Sequence, residues 1–204
     1  MKLFRVLLLL LAGIQLFSCN SKNAIDVPDE VTVKKRWGNG NPSVVLEYFN
    51  IADPSTFIKK DYTNTGILVT EEHFADYVLE GPTYHFFESG DTIQSMQYIN
   101  GRVDGKVKVW YKSGQLKSLA MYKRDTLMEM NRFYSNGQRE SKVPIVDGVL
   151  EGEAEYYDTL GNVVLTGRWV NNKREGEWKH LSSSGKVTAI ELYKDNIIVE
   201  TKDF

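Results

Sequence analysis

The sequence predicts an all-β fold: an elongated antiparallel β-meander of repeated hairpins, preceded by an N-terminal helical signal peptide. Three observations support this prediction. Turn glycines recur at a nearly fixed spacing, an aromatic residue follows most of them by eight positions, and a second tight turn lies within each repeat. No segment of the repeats shows the 3.6-residue periodicity of an amphipathic helix.

The first observation is the period of the turn glycines. The last five intervals are 24, 24, 23, 24 and 24 residues and the first is 26, counted over Gly40, Gly66, Gly90, Gly114, Gly137, Gly161 and Gly185. A regular period of this length is typical of a repeat architecture. Asn136-Gly137 and Ser89-Gly90 are predicted to form two-residue turns, of type I′ at Asn-Gly, since that type needs positive φ at both residues. Longer turns are expected in repeats five to seven.

The second observation predicts the register of the sheet. Six of the seven residues eight positions after a turn glycine are aromatic, among Tyr48, Phe74, Tyr98, Tyr122, Ile145, Trp169 and Tyr193. Two-residue turns would place Tyr98 opposite Gly81 and Tyr122 opposite Gly105 on the adjacent strand. The same offset in the sequence predicts Trp169 by Gly152 and Tyr193 by Gly176. A glycine there is expected to leave room for the ring over bare backbone.

The third observation is a second turn in each repeat. "YINGRVDG" at 98–105, "IVDGVLEG" at 145–152 and "WVNNKREG" at 169–176 each place a turn dipeptide shortly after the aromatic position. Two turns per repeat predict roughly fourteen antiparallel strands, and a sheet of that size must twist or curl.

These segments resemble the MORN repeat in its variant form. The matching stretches are "GKVKVWYKSGQLKSLAMYKRD", "GEAEYYDTLGNVVLTGRWVNNKREG" and "GEWKHLSSSGKVTAIELYKDN". The resemblance is clear over 81–196, is in phase but degenerate over 37–80, and implies a repeat domain at 35–204 with about seven repeats. Its structural glycines are Gly81, Gly90, Gly105, Gly114, Gly137, Gly152, Gly161, Gly176 and Gly185. Glu129 and Ile145 depart from the pattern, so one sheet segment is expected to be less regular.

The N-terminus predicts export and lipid attachment. Lys2 and Arg5 precede an apolar run, as in a secretory signal peptide at 1–18. "LFSC" resembles the lipobox of bacterial lipoproteins, which implies cleavage before Cys19 and lipidation of that cysteine. An ordinary signal peptide or an uncleaved anchor are the alternatives. Residues 19–34 are predicted to be a flexible tether. The expected location is the cell envelope, at the outer membrane facing the periplasm or the cell surface.

Catalytic chemistry is not predicted. Cys19 is the only cysteine, and the chain lacks the His-Glu-x-x-His, Gly-x-Ser-x-Gly and phosphate-loop motifs. His85 and His180 would lie about eight strands apart and His73 is expected far from both, so no metal site and no cofactor are expected. The formal charge of −2 becomes −4 without Lys2 and Arg5, which gives no electrostatic case for nucleic acid.

The functional hypothesis is a membrane-anchored, non-enzymatic lipoprotein whose sheet acts as a protein-interaction or scaffold surface. Its candidate binding aromatics are Tyr98, Tyr122, Trp169 and Tyr193, because rings on an uncovered sheet face are good binding anchors. Packing within the sheet is the alternative role for these rings. Repeat proteins of this kind, including lipoproteins of Bacteroidetes-like bacteria, are labelled YwqK-like antitoxins. The resemblance therefore also implies an antitoxin or immunity protein, and a glycan- or lipid-binding envelope module is a further alternative.

Overall fold

The computed structural model describes residues 28–204, and every regular element in that range is a β-strand. The strands are β1 (Glu30–Arg36), β2 (Pro42–Tyr48), β3 (Phe57–Tyr62), β4 (Leu68–Ala75), β5 (Val78–Phe86), β6 (Thr92–Ile99), β7 (Arg102–Val103), β8 (Gly105–Trp110), β9 (Leu116–Lys123), β10 (Thr126–Phe133), β11 (Arg139–Lys142), β12 (Ile145–Val146), β13 (Val149–Leu150), β14 (Gly152–Tyr157), β15 (Val163–Val170), β16 (Lys173–Leu181), β17 (Val187–Lys194) and β18 (Ile197–Asp203).

The predicted fold class is confirmed. One antiparallel sheet follows the order β1-β2-β3-β4-β5-β6-β8-β9-β10-β11-β14-β15-β16-β17-β18, with β7 paired to β6, while β12 and β13 form a separate two-stranded ladder. The predicted signal peptide and Cys19 lie outside the described residues. The sheet begins earlier than predicted, because Glu30 already pairs with Tyr48. Residues 30–34 therefore belong to strand β1 and not to a tether.

The seven periodic glycines all form the same turn, but it is not the predicted one. Gly137 donates its N–H to the carbonyl of Tyr134 (2.9 Å), and Tyr134 donates to the carbonyl of Gln138 (2.8 Å). Gly137 has a φ of 87° and Asn136 is not among the residues with positive φ. This geometry is a three-residue loop with a type I turn and a glycine bulge. The two-residue turns predicted at Asn136-Gly137 and Ser89-Gly90 are therefore wrong. Repeats five to seven do use turns longer than two residues, but the earlier repeats use the same three-residue loop.

From the second repeat onward, the second turn of the repeat is a type I′ turn; in the first repeat a longer loop joins β2 to β3. Both central residues have positive φ in all six such turns: Asp76-Tyr77, Asn100-Gly101, Arg124-Asp125, Asp147-Gly148, Asn171-Asn172 and Asp195-Asn196. Asparagine and aspartate adopt this left-handed conformation more readily than other residues with a side chain. The dipeptides that match the ideal Asn-Gly pattern less well thus form the same turn.

Most of these turns are hydrogen-bonded to the repeat that precedes them. The second turn residue donates its N–H to a carbonyl two residues before the preceding repeat glycine, as in Gly101 to Leu79 (2.9 Å) and Asn196 to Arg174 (3.0 Å). Where that residue is Asp or Asn, its side chain also accepts a backbone N–H from the previous repeat, as Asp125 does from Val103 (2.8 Å). The turns therefore join successive repeats as well as successive strands.

The predicted register is confirmed at all four positions. Gly81 pairs with Tyr98, Gly105 with Tyr122, Gly152 with Trp169 and Gly176 with Tyr193. The three-residue loops still give this register because each hairpin has a one-residue shift next to its turn, such as the shift between His85 and Phe86.

The proposed reason for these glycines was wrong. A Cβ on Gly152 would meet Pro144 at 3.3 Å, and a Cβ on Gly176 would meet nothing within 4 Å, so neither glycine makes room for the ring opposite it. The backbone requires glycine instead. φ is 98° at Gly81, 117° at Gly105, 113° at Gly152 and 72° at Gly176, a region that side chains with a Cβ rarely adopt. Each of these glycines lies where its strand changes register with the preceding strand, as bulge glycines do.

The less regular segment lies where Glu129 and Ile145 predicted it. The pairing of β10 with β9 shifts between Leu127 and Glu129, and β11 pairs with β14 at only two positions. Ile145 pairs with Leu150 in the separate β12–β13 ladder. Pro144 stands just before that ladder and has no N–H to donate to it.

Most buried side chains lie on one face of the sheet, which we call the core face. Residues paired across neighbouring strands share a face, and following these pairs through the sheet assigns the buried residues to the core face: Thr83, Val107, Ala120, Ser141, Ala154, Trp178 and Tyr193. Buried Val45 lies on the opposite face. Most of these side chains are small. Trp178 and Tyr193 are the exceptions. Trp178 has no exposed surface and lies over Gly167, where a Cβ would come within 2.6 Å of its Cγ atom. The ring-over-glycine packing predicted elsewhere therefore occurs at this pair.

We expect Gly167→Ala to destabilise the protein, because its new methyl group would overlap the Trp178 ring. Overpacking of this kind costs on the order of 1–3 kcal/mol. Gly38→Ala is the control, since a Cβ there meets nothing within 4 Å and φ is not positive. Urea unfolding of both variants measures the difference. Equal stability of the two variants would contradict the packing of Trp178 on Gly167.

Candidate interaction face

A row of aromatic side chains crosses the core face at the strand ends next to the type I′ turns and next to the loop between β2 and β3. We call it the aromatic row. Ladder partners place all of its members on one face: Tyr48, Phe57, Phe74, Tyr98, Tyr122, Trp169 and Tyr193. The row includes the four aromatics predicted from the sequence, so their common face and common height in the sheet are as expected. Their binding role stays a prediction.

The N-terminal members of the row pack on one another. Phe57 stacks on Phe74 with ring centroids 4.8 Å apart, and lies 5.7 Å from Tyr48. Tyr77, on the adjoining turn, is 6.2 Å from Phe57 and 65% exposed. Its φ is 61°, a conformation that is unusual for a bulky residue. The sequence pattern did not identify Phe57, because it precedes β4 by a turn and does not follow a turn glycine at the repeat spacing.

At the C-terminal end the row forms a closed cluster around Trp178. Trp169 meets Trp178 edge-on at 5.6 Å, and Tyr156 and Tyr193 each lie 6.0 Å from it. The Trp169 indole N–H donates to the Tyr156 hydroxyl at 3.1 Å. The Trp178 indole N–H is buried and has no partner among the described residues. This cluster is the main hydrophobic core of the described sheet.

Arg174 covers this cluster. Its guanidinium carbon lies 4.2 Å from the centroid of the Trp178 ring, 5.3 Å from that of Tyr193 and 5.9 Å from that of Trp169. It also donates to the Tyr193 hydroxyl at 3.0 Å. A guanidinium over aromatic faces is held by cation–π attraction. Tyr193 is only 8% exposed, so in this conformation it is a packing residue and offers little surface to a partner.

The central part of the row is more open. Tyr98 and Tyr122 are each half-buried, and neither makes an aromatic pair or a cation–π contact with another described residue. Partial burial raises the pKa of the Tyr98 hydroxyl above its ordinary value. Its only hydrogen-bond partner found within residues 28–204 is the Met96 sulfur at 3.9 Å, a weak acceptor. Of the four predicted binding aromatics, these two retain the most capacity for new contacts.

Sequence reasoning missed three residues of the cluster: Tyr156, Trp178 and Arg174. Trp178 follows the repeat glycine Gly176 by two positions, where other repeats carry the small residues Thr83, Val107 and Ala154. A tryptophan in a column of small residues was the available signal. Arg174 was not identifiable in this way, because its contact with three rings depends on the bulge at Gly176.

The described residues bring together no group of three His, Cys, Asp or Glu side chains that fits a metal ion. His85 on β5 and His180 on β16 are eight strands apart, or roughly 40 Å at the usual strand spacing. His73 is nearer to His85 than predicted, since β4 and β5 are adjacent. Their side chains nevertheless point to opposite faces. His73 hydrogen-bonds Glu71, which shares a face with its ladder partner Tyr84, and Tyr84 is next to His85 in β5, so it lies on the other face from His85.

A cavity of about 450 Å³ at the type I′ turns is open to solvent and lined by Ile99, Asn100, Arg102, Asp104 and Arg124.

A row of ion pairs crosses the opposite face near the N-terminal strands. Lys60 lies 2.7 Å from Glu47 and 3.7 Å from Glu71, and Glu71 accepts from the His73 ring at 3.1 Å. The hydrogen bond with His73 and the nearby Lys60 charge hold the pKa of Glu71 below its ordinary value of 4.5. These groups link β2, β3 and β4, so the ion-pair row supports the start of the sheet.

The comparisons with known proteins agree with this repeat geometry. The family model described as the MORN repeat variant matches residues 103–124 and 174–195. Both segments begin shortly before a repeat glycine and end at a type I′ turn, so they lie in phase with the structural repeats. No curated protein matches the chain. MORN repeats are generally non-catalytic and are commonly protein- or membrane-interaction modules. In residues 28–204 no helix is long and apolar enough to cross a membrane.

Loss of the Glu71 charge should reduce stability in a pH-dependent way. Because the folded-state pKa is lowered, Glu71 stabilises the fold above its unfolded pKa, and this contribution disappears as pH falls through the folded pKa. We expect Glu71→Gln to be less stable than the wild type at pH 7 and to approach it below pH 4.5.

The control for this pH series is Glu88→Gln, since the exposed Glu88 side chain makes no hydrogen bond or ion pair within residues 28–204. Unfolding free energies of the three proteins are compared from pH 7 downward. A difference between wild type and Glu71→Gln that does not change with pH would contradict the assignment.

Proposed function

We propose that this MORN-repeat protein is a non-enzymatic lipoprotein of the cell envelope, anchored in a lipid bilayer through Cys19, whose sheet binds a protein partner. The observation that supports it best is the aromatic row on a face that no other described element covers. Half-buried tyrosines beside small side chains provide a large contact area at low entropic cost. The partner would dock over Tyr98 and Tyr122, where the row is not closed by Arg174.

The anchor part of the proposal rests on the sequence. An apolar run followed by Leu-x-Ser-Cys, with a single cysteine in the whole chain, is the pattern that supports lipidation at Cys19. A location at the outer membrane, facing the periplasm or the surface, belongs to the same proposal. The lipoproteins labelled YwqK-like antitoxins would be its relatives. An antitoxin or immunity role would use the same protein-binding face, and glycan binding is the alternative for that face.

The anchor is tested with Cys19→Ser expressed in a bacterium that processes lipoproteins. We expect the variant to leave the membrane fraction or to accumulate as an uncleaved precursor, because the lipid acceptor is lost. Cell fractionation and intact-mass measurement of the wild type and the variant give the result. A mature wild-type chain with an unmodified Cys19 would disprove lipidation.

The binding face is tested by site-specific photo-crosslinking of the full chain in its native host. A photoreactive phenylalanine analogue replaces Tyr98 or Tyr122, and the control replaces Tyr84, a half-buried tyrosine on the opposite face. We expect one discrete heterologous adduct from Tyr98 and Tyr122 and none from Tyr84. The same adduct from all three positions, or a glycan adduct in place of a protein, would contradict the proposed protein-binding face.

A further inference from the structure

The last strand of the sheet, β18, has an open outer edge. Among residues 28–204 it pairs only with β17, and all seven of its residues are exposed. Its first three side chains are apolar, with Ile197 66%, Ile198 47% and Val199 56% exposed. Exposed apolar edge strands readily pair with another strand. At the other edge, β1 carries Lys34, Lys35 and Arg36, and cations there disfavour such pairing.

The backbone groups on this edge can be assigned. Phe204 donates its N–H to the Thr188 carbonyl of β17 at 2.9 Å. In an antiparallel strand the N–H and C=O groups of alternate residues point to opposite sides. The groups of Glu200 and Lys202 therefore point to β17, and those of Thr201 and Asp203 point outward. Thr201 thus presents a donor and an acceptor, flanked by two side chains of opposite charge.

Strand direction favours one partner strand. Fifteen strands alternate in direction along the sheet, so β1 and β18 run the same way. A second copy added by simple continuation would place its β1 parallel to β18, in a sheet that is otherwise antiparallel. A two-fold axis normal to the sheet instead brings β18 against β18 in antiparallel orientation and keeps each face on its own side, as in a symmetric homodimer.

The sequence of β18 is complementary to itself about Thr201. With the axis at this residue, the outward groups of Thr201 in the two copies would bond each other. Glu200 of each copy would lie opposite Lys202 of the other, on the same face. Opposite charges at directly opposed positions stabilise an antiparallel pair, whereas an axis at Glu200 would place two carboxylates together. Exposed Ile198 and Phe204 would lie at the ends of this overlap.

We propose that β18 is a self-association edge, through which two copies of the chain join their sheets across a two-fold axis at Thr201. The resulting sheet would be continuous and antiparallel, with both core faces on the same side. The inference goes beyond the proposed partner binding, since β18 lies at the edge of the sheet and Tyr98 and Tyr122 lie in its middle. The two proposals can therefore fail independently.

Disulfide trapping tests the register in the full-length protein. Opposed hydrogen-bonded residues have Cα atoms about 5.5 Å apart, within the range of about 4.4–6.8 Å for a disulfide. We expect Thr201→Cys to give a covalent dimer on mild oxidation, with a peptide linked 201 to 201 by mass spectrometry. Asp203→Cys is the matched control, since its two copies would be about 14 Å apart.

A charge exchange tests the pairing without a crosslink. Glu200→Lys and Lys202→Glu should each raise the dimer dissociation constant on the order of tenfold, because two attractive pairs become repulsive. The double variant should restore it. Light scattering of the detergent-solubilised full chain gives the mass, and thermal unfolding verifies the fold. A wild type that stays monomeric, equal trapping of the Thr201→Cys and Asp203→Cys variants, or no rescue in the double variant would overturn the proposal.

Discussion

The hydrogen bonds from most type I′ turns to the strand that follows the preceding turn are the interaction on which this sheet depends. The second residue of a turn donates its N–H to the preceding repeat, at Leu79, Val103, Leu150 or Arg174. Each acceptor stands two residues before a repeat glycine whose positive φ lets the strand change register. Turn and bulge thus fix most repeats on the previous one without a second layer of structure. In a repeat fold, where each unit contacts mainly its neighbours, such contacts carry the stability.

This construction determines where the sheet has surface to offer. At the C-terminal end of the core face, Ala154 packs in the aromatic cluster around the fully buried Trp178, and Arg174 closes that cluster. The middle of the aromatic row has no comparable cover from described residues. The two edge strands of the sheet also differ: β1 ends in three cationic residues, whereas β18 begins with three apolar residues. Among the described residues, the middle of the row and β18 therefore offer surface suited to recognition.

Much of the fold was predictable from the sequence because the glycine and aromatic positions repeat with the backbone geometry. Tyr98 opposite Gly81 followed from spacing alone. The turn type did not, since Asn136-Gly137 suits both a type I′ turn and a type I turn with a glycine bulge, and a compensating shift beside the turn gives the same register. The reason why glycine is needed at these positions was misassigned, because the spacing of residues in the sequence gives no information about the backbone angle φ. The contact of Arg174 with three rings was also beyond prediction, because it arises from strands that the bulge at Gly176 realigns.

Native-state hydrogen exchange of the turn amides tests the central claim most directly. The amides of Gly101, Asp125, Asn172 and Asn196 lie at exposed loop tips but donate to the preceding repeat. The account predicts that they exchange slowly, at rates near those of the adjoining strands. Gly148, in the irregular repeat, has no such bond among the described residues and should exchange fast. Fast exchange at all five turns would contradict the claim that hydrogen bonds between turns hold the repeats in register.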